Sequence, residues 1–141
     1  MATASLMAGL AFGNAGVGAV HALAYPLGGK YKMPHGVSNA LMLPYVLKWN
    51  VIGCSERLSH IANVLKLDVT QNQLRNAELL VDFLRQFCAQ LNIPTGLRAF
   101  GIAEDDIPAL ATEAIKVERL LKNNPRRLSV ADIEAIYREA Y

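Results

Sequence analysis

Apolar residues recur at helical spacing through most of the chain, and nowhere does strand-like alternation flank hairpin turns, so the pattern predicts an all-α fold. The first helix is expected from about Ala2 to Ala24, loosened around Gly13 to Gly18 and ended by Pro26, Gly28 and Gly29. A second should start near Pro34-His35-Gly36 and run toward Asn50, bent by Pro44, which removes one ladder bond. Its run from Ala40 to Leu47 is almost wholly apolar and predicts burial. Ser55 suits the N-cap of a short helix to about Lys66, with Leu58, Ile61, Ala62 and Leu65 on one face. Thr70 is expected to cap the next, to about Leu91, whose inward stripe holds Leu74, Ala77, Val81, Leu84, Cys88 and Leu91. Pro94-Thr95-Gly96 interrupts the pattern, and Ala103 to Leu121 resumes it with Glu104, Asp105 and Asp106 in the first turn, where the helix dipole favours anions. Asn123-Asn124-Pro125 stops that helix. Ser129 with Asp132 reads as a capping-box relative opening a last helix through Ile133, Ile136 and Tyr137.

Composition changes this picture in one respect. With 52% hydrophobic and only 18% charged residues, the 141-residue chain is more apolar than an ordinary independent domain. A single domain over residues 1–141 is expected, with some of its apolar surface meeting a partner or a missing part of the same protein. Met1 to Gly29 carries no Asp, Glu, Lys or Arg and is long enough to cross a bilayer. Asn14, His21, Pro26 and six glycines interrupt it, and no basic residue precedes it as a secretory leader requires. A deeply buried helix is therefore the preferred reading, with no membrane partner. The formal charge of +2 is spread along the chain, without a basic stripe for nucleic acid. Cys54 and Cys88 stand alone, as two reduced, inert thiols in a cytoplasmic protein would. No glycine-rich phosphate loop follows a strand, so the chain is not expected to bind a dinucleotide unaided.

Candidate chemistry lies at the histidines. His21 and His35 flank the segment containing Tyr25, Pro26, Leu27, Gly28, Gly29, Lys30, Lys32 and Pro34. His21 is expected at the end of the first helix and His35 at the start of the second. A turn that laid the two side by side would bring both imidazoles to one cation of borderline softness. Partial positive charge at a helix start disfavours imidazolium and so suits His35 to ligation. On spacing alone, two separate structural histidines remain the better reading. His60 belongs to no motif and receives no role. Lys30 and Lys32 could attract a cofactor phosphate, although solvated turn lysines are the commoner case. Trp49 and the methionines read as core.

The wider segment decides between these readings. Ala11-Phe12-Gly13-Asn14-Ala15, Gly18, His21-Ala22-Leu23-Ala24, Pro26-Leu27-Gly28, Pro34-His35-Gly36, Asn39-Ala40 and Leu43-Pro44 together resemble the second signature of iron-containing (group III) alcohol dehydrogenases. The resemblance continues through Ile93-Pro94, Leu97, Gly101-Ile102, Asn124-Pro125-Arg126, Asp132-Ile133 and Ile136-Tyr137, covering essentially the whole chain.

It implies a helical bundle like the C-terminal metal-binding domain of that family, whose fold is dehydroquinate synthase-like. It also implies a missing N-terminal nucleotide-binding domain that binds NAD or NADP. By motif match His21 and His35 correspond to two ligands of a divalent metal, Fe2+ or Zn2+, while the family's aspartate and remaining histidine ligands precede this segment. Tyr25 stands where the family often has a further histidine; the catalytic role assigned to it is a hydrogen bond to a substrate or cofactor group, and the alternative is an aromatic packed beside the site. Pro26, Leu27 and Gly28 would border the cofactor, and Phe12 to Asn14 would pack nearby. The implied substrate is a small alcohol or aldehyde, the implied activity hydride transfer to NAD(P), and the chain alone is expected to be inactive. The rival reading is a free-standing helical metal-binding or subunit-interaction domain. Its most specific form is a homodimer in which His21 and His35 of two chains hold one zinc ion.

Overall fold

In the computed structural model, which describes residues 1–141, the uncharged opening stretch is two helices rather than one. Helix α1 (Ala2–Ala15) and helix α2 (Ala19–Tyr31) meet at 103° across Gly16-Val17-Gly18. Gly16 has φ 76° and ψ 176°, a backbone region open in practice only to glycine. A Cβ at Gly16 would lie 2.7 Å from the amide nitrogen of Asn123, which itself donates to the Val17 carbonyl.

Pro26, Gly28 and Gly29 do not end the helix as expected. Helix α2 runs through them and stops only at Lys32, which is left-handed at φ 54°. Its inner face supplies the reason: Ala19, Ala22, Leu23 and Leu27 are buried in the main core, and that burial outweighs the one backbone bond Pro26 cannot make.

Burial of the whole opening stretch is also not found. No residue of α1 is buried, and Leu6, Met7, Leu10 and Phe12 are each more than half exposed. Among the methionines, Met33 and Met42 are core while Met1 and Met7 are exposed. An apolar helix looks the same in sequence whether its cover lies inside or outside the chain, and here no helix of the chain packs along α1. No single helix is long and apolar enough to cross a membrane, although the bent α1–α2 pair passes on length and composition.

Helix α3 (His35–Val64) takes up both the second and third expected helices, divided at Cys54, where φ −152° and ψ 29° interrupt the helical path. Helix α4 (Gln73–Gln90) is capped by Asn72, whose side chain accepts from the Arg75 N–H, and not by Thr70. Thr70 instead donates its N–H to the buried Asn76 side chain at 2.8 Å, which ties the linker to α4. The second half of α3 and α4 enclose a small core of Val51, Leu58, Ala62, Ala77, Leu80 and Val81.

The expected helix from Ala103 to Leu121 is three pieces: a 3-10 turn Glu104–Asp106, α5 (Ile107–Ile115) and the single-turn α6 (Glu118–Leu121). Val117, at φ −82° and ψ 50°, makes the break between the last two. Helix α7 (Val130–Glu139) opens on a complete capping box of Ser129 and Asp132, as expected. It packs on α5, and the fully buried Tyr137 donates its hydroxyl to the Leu23 carbonyl of α2 at 2.6 Å. The result is an all-α bundle without strands, as the periodicity predicts. Its main core joins α2, the first half of α3, α5 and α7, and that core sets where the histidines stand. Both cysteines are free thiols; Cys88 is buried and Cys54 sits half-buried at the kink of α3.

Candidate metal centre

His21 is the third residue of α2 and His35 the first of α3, so each imidazole rides on the opening turn of a helix. The expected route between them, a helix end followed by a glycine-rich turn, is wrong. The chain first completes α2, reverses at Lys32 and returns through Met33 and an extended Pro34. The reversal is held by Met33, whose N–H donates back to the Leu27 carbonyl. The two rings nevertheless converge, with centroids 5.2 Å apart and planes tilted by 57°.

Tyr25 lies one turn beyond His21 on the same face of α2, and its ring centroid is 6.1 Å from that of His35. His21 is half-buried, while Tyr25 and His35 are exposed, so the three rings form an open rim. Burial, reinforced by the neighbouring His35, pushes the His21 pKa below its ordinary value. The neutral, ligating form of His21 is thereby favoured at neutral pH.

All of residues 1–141 match the family model described as "Fe-containing alcohol dehydrogenase family, C-terminal". The chain belongs to that family. Long-chain-alcohol dehydrogenase 1 of Geobacillus thermodenitrificans is 43% identical over 142 residues, matching 100% of this chain and 36% of its own length. NAD-dependent methanol dehydrogenase of Bacillus methanolicus is 37% identical, over 99% of this chain and 37% of its own length. The crystal structure of a 1,3-propanediol oxidoreductase superposes with a TM-score of 0.93 at 40% identity, over 98% of this chain and 36% of that one. The chain thus spans little more than a third of the length of the relatives it matches.

Within this alcohol dehydrogenase bundle the other expected site residues have separate fates. Pro26 joins Tyr25, Gly29, Lys30, Glu113 and Val117 around a shallow cavity of about 370 Å³ between α2 and α5. Leu27 points into the main core and is fully buried, so its side chain offers no surface to a ligand. Gly28 is helical beneath the returning segment, where a Cβ would meet the Met33 carbonyl at an ordinary contact distance of 3.6 Å. Phe12, on α1, is 57% exposed, and His60 is exposed on the far half of α3.

Lys30 is solvent-exposed, as expected, but it lies in the last turn of α2 and is ion-paired. Its ammonium donates to Asp106 at 2.5 Å, and the Tyr31 hydroxyl donates to the other oxygen of the same carboxylate at 2.6 Å. These bonds, the one from Lys30 first, hold the Asp106 carboxyl below its usual range. They also tie the end of α2 to the start of α5.

Two imidazoles, one of them with its charged form disfavoured by burial, suit a divalent cation of borderline softness. No group of three or more His, Cys, Asp or Glu side chains of this chain comes together, so these residues fit half of a coordination shell. One neighbour of the pair escaped the sequence reading. The Asn39 amide nitrogen lies 3.1 Å from Nε2 and 3.3 Å from Nδ1 of His35, and 2.8 Å from the His35 carbonyl oxygen. Its position four residues after His35, on one face of one helix, was the available signal.

Proposed function

We propose that this chain is the metal-holding helical portion of an iron-type, NAD(P)-dependent alcohol dehydrogenase that interconverts a small alcohol and its carbonyl product, and that it is inactive alone. The observation that carries the reading is the pair of imidazoles facing each other at 5.2 Å in a chain that belongs to this family. The relative named as an NAD-dependent methanol dehydrogenase supports the cofactor. His21 and His35 would hold Fe2+ or Zn2+, which when bound supplies Lewis acidity toward the substrate oxygen.

What the chain's own residues do follows from their places. Desolvation beside His35 disfavours the protonated form of His21, which reduces proton competition for its lone pair. Tyr25 presents an exposed phenol next to His35, placed to donate a hydrogen bond to a substrate oxygen. Pro26 contributes the wall of the adjoining cavity, while Leu27 serves from behind by anchoring α2 in the core. Nothing in the bundle offers a glycine-rich loop between a strand and a helix, so the nucleotide would be held by the polypeptide that accounts for the rest of the relatives' length. The same polypeptide is the cover proposed for α1. Two unpaired thiols fit the reducing cytoplasm as the setting.

The test joins two measurements. The purified chain should show no alcohol-dependent reduction of NAD+ or NADP+ with Fe2+ or Zn2+ present. Joined to a nucleotide-binding portion from a family member, it should turn over, and His21→Ala or His35→Ala should then lower kcat/KM by at least about a hundredfold. Turnover by the chain alone, or undiminished turnover in the histidine variants, would overthrow the reading.

A further inference from the structure

We propose that Asn39 is a positioning residue that clamps the His35 ring in the orientation needed for ligation, an inference that rests on the metal-holding role given to His35 above. His35 is exposed on the rim of the bundle, where an unrestrained imidazole would sample several rotamers and lose that freedom on binding a cation. Asn39 removes the freedom beforehand. One of its two amide hydrogens donates to the His35 carbonyl oxygen at 2.8 Å, which fixes the amide against the first turn of α3. The buried Ser38 secures the same turn, its hydroxyl reaching the Pro34 carbonyl at 3.2 Å and the His35 carbonyl at 3.1 Å.

The decisive geometry is that the Asn39 nitrogen is nearly equidistant from both ring nitrogens, 3.1 Å from one and 3.3 Å from the other. Those two nitrogens flank Cε1, and their lone pairs or hydrogens lie in the ring plane. An atom at similar distance from both cannot lie in that plane without striking Cε1. The amide therefore rests on the face of the imidazole, an N–H to π-face contact. It restrains the ring without occupying an in-plane lone pair, so both ring nitrogens keep theirs for a cation beside His21.

A second observation supports the assignment. The Asn39 carbonyl oxygen Oδ1 is buried and has no hydrogen-bond partner. Leaving a buried acceptor unmatched is unfavourable, and an asparagine serving only solubility would turn to avoid it. Here both amide hydrogens are committed to His35, and the oxygen is left over.

NMR of the metal-free chain tests this directly. One Asn39 side-chain proton, lying over an imidazole face, should be displaced upfield by the ring current, and the displacement should vanish in His35→Ala. In Asn39→Leu, which keeps the size but removes the amide, three-bond couplings of His35 should change from a single χ1 rotamer to an averaged set. Zinc uptake, followed by the His35 ring shifts, should weaken about tenfold with the thermal unfolding midpoint preserved. Asn39→Ala repeats the measurement should the leucine fail to pack, and the ring-current result on the unmodified Asn39 needs neither variant. An Asn39 amide at ordinary shifts, or a His35 rotamer unchanged in both variants, would overturn the positioning role. A chain that takes up no zinc while its ring is clamped would retire the metal-holding role of this isolated half-site and leave the clamp in place; a clamp lost with zinc affinity unchanged would do the reverse.

Discussion

Asn50 and Asn124 exchange two hydrogen bonds of 2.8 Å, each amide donating to the other's carbonyl, and Asn50 is only 3% exposed. Asn124 adds a bond to the Arg126 carbonyl, and Arg126 donates to the Trp49 carbonyl while its guanidinium lies over the Trp49 ring. Replacing Asn50 leaves the half-buried Asn124 without its match, so Asn50→Leu should cost about 1–3 kcal/mol in urea unfolding. The double substitution of Asn50 and Asn124 by leucine should recover part of that loss, because no orphan amide remains. None of this was legible in the sequence. The segment Asn123-Asn124-Pro125 was rightly read as a helix stop from its local chemistry, but a partner far along the chain leaves no local trace. The Lys30 ion pair was invisible for the same reason, since Asp106 lies on a different element. Asn39 differs from both: its partner is one turn away, and the i, i+4 rule could have found it.

Elements whose signals are local came through best. The capping box of α7 is visible as Ser129 followed three residues later by Asp132, and the structure contains both halves of it. Ser129→Ala should lower stability by about 1 kcal/mol, measured by chemical denaturation. The Ser129 backbone N–H, and then its hydroxyl, hold the Asp132 carboxyl below the ordinary aspartate value. That carboxylate contributes stability above about pH 4, where the unfolded aspartate is already ionised, and the contribution fades as pH falls through the lower folded value. Thermal midpoints followed from about pH 5 down to about pH 2 should therefore fall more steeply for the native sequence than for Asp132→Asn. Helix ends set by tertiary packing were misread instead. Six glycines lie in the first 29 residues, and periodicity cannot tell that Gly16 takes a positive φ while Gly28 and Gly29 stay helical. Gly16→Ala should cost about 1–3 kcal/mol, from backbone strain and displacement of the Asn123 amide, with the Asn123 bond to Val17 lost.

Across the whole molecule, the excess of apolar residues did announce a surface in need of cover, but its location was misjudged. The main core is complete without α1, which projects at 103° from α2 with Leu6, Met7, Leu10 and Phe12 in solvent. The isolated chain should bind a hydrophobic dye and self-associate in light scattering, and Leu6→Lys with Leu10→Lys should reduce both. If α1 is where the nucleotide-binding polypeptide docks, those substitutions should also prevent assembly with it; a paired protein that forms normally would exclude that role. The family's bundle was legible because most of its motif residues sit where the main core and the histidine rim are built, whereas the bend at Gly16 and the Asn123 bond to Val17 that accompanies it leave no periodic trace. The placement of the two histidines sets a further condition on anything that joins them. Each stands where a column of aligned peptide dipoles presents its positive end, so an uncompensated dication would be repelled from two directions at once. A group closing such a shell from outside would gain by carrying negative charge into it, as a carboxylate does and a further neutral ring does not.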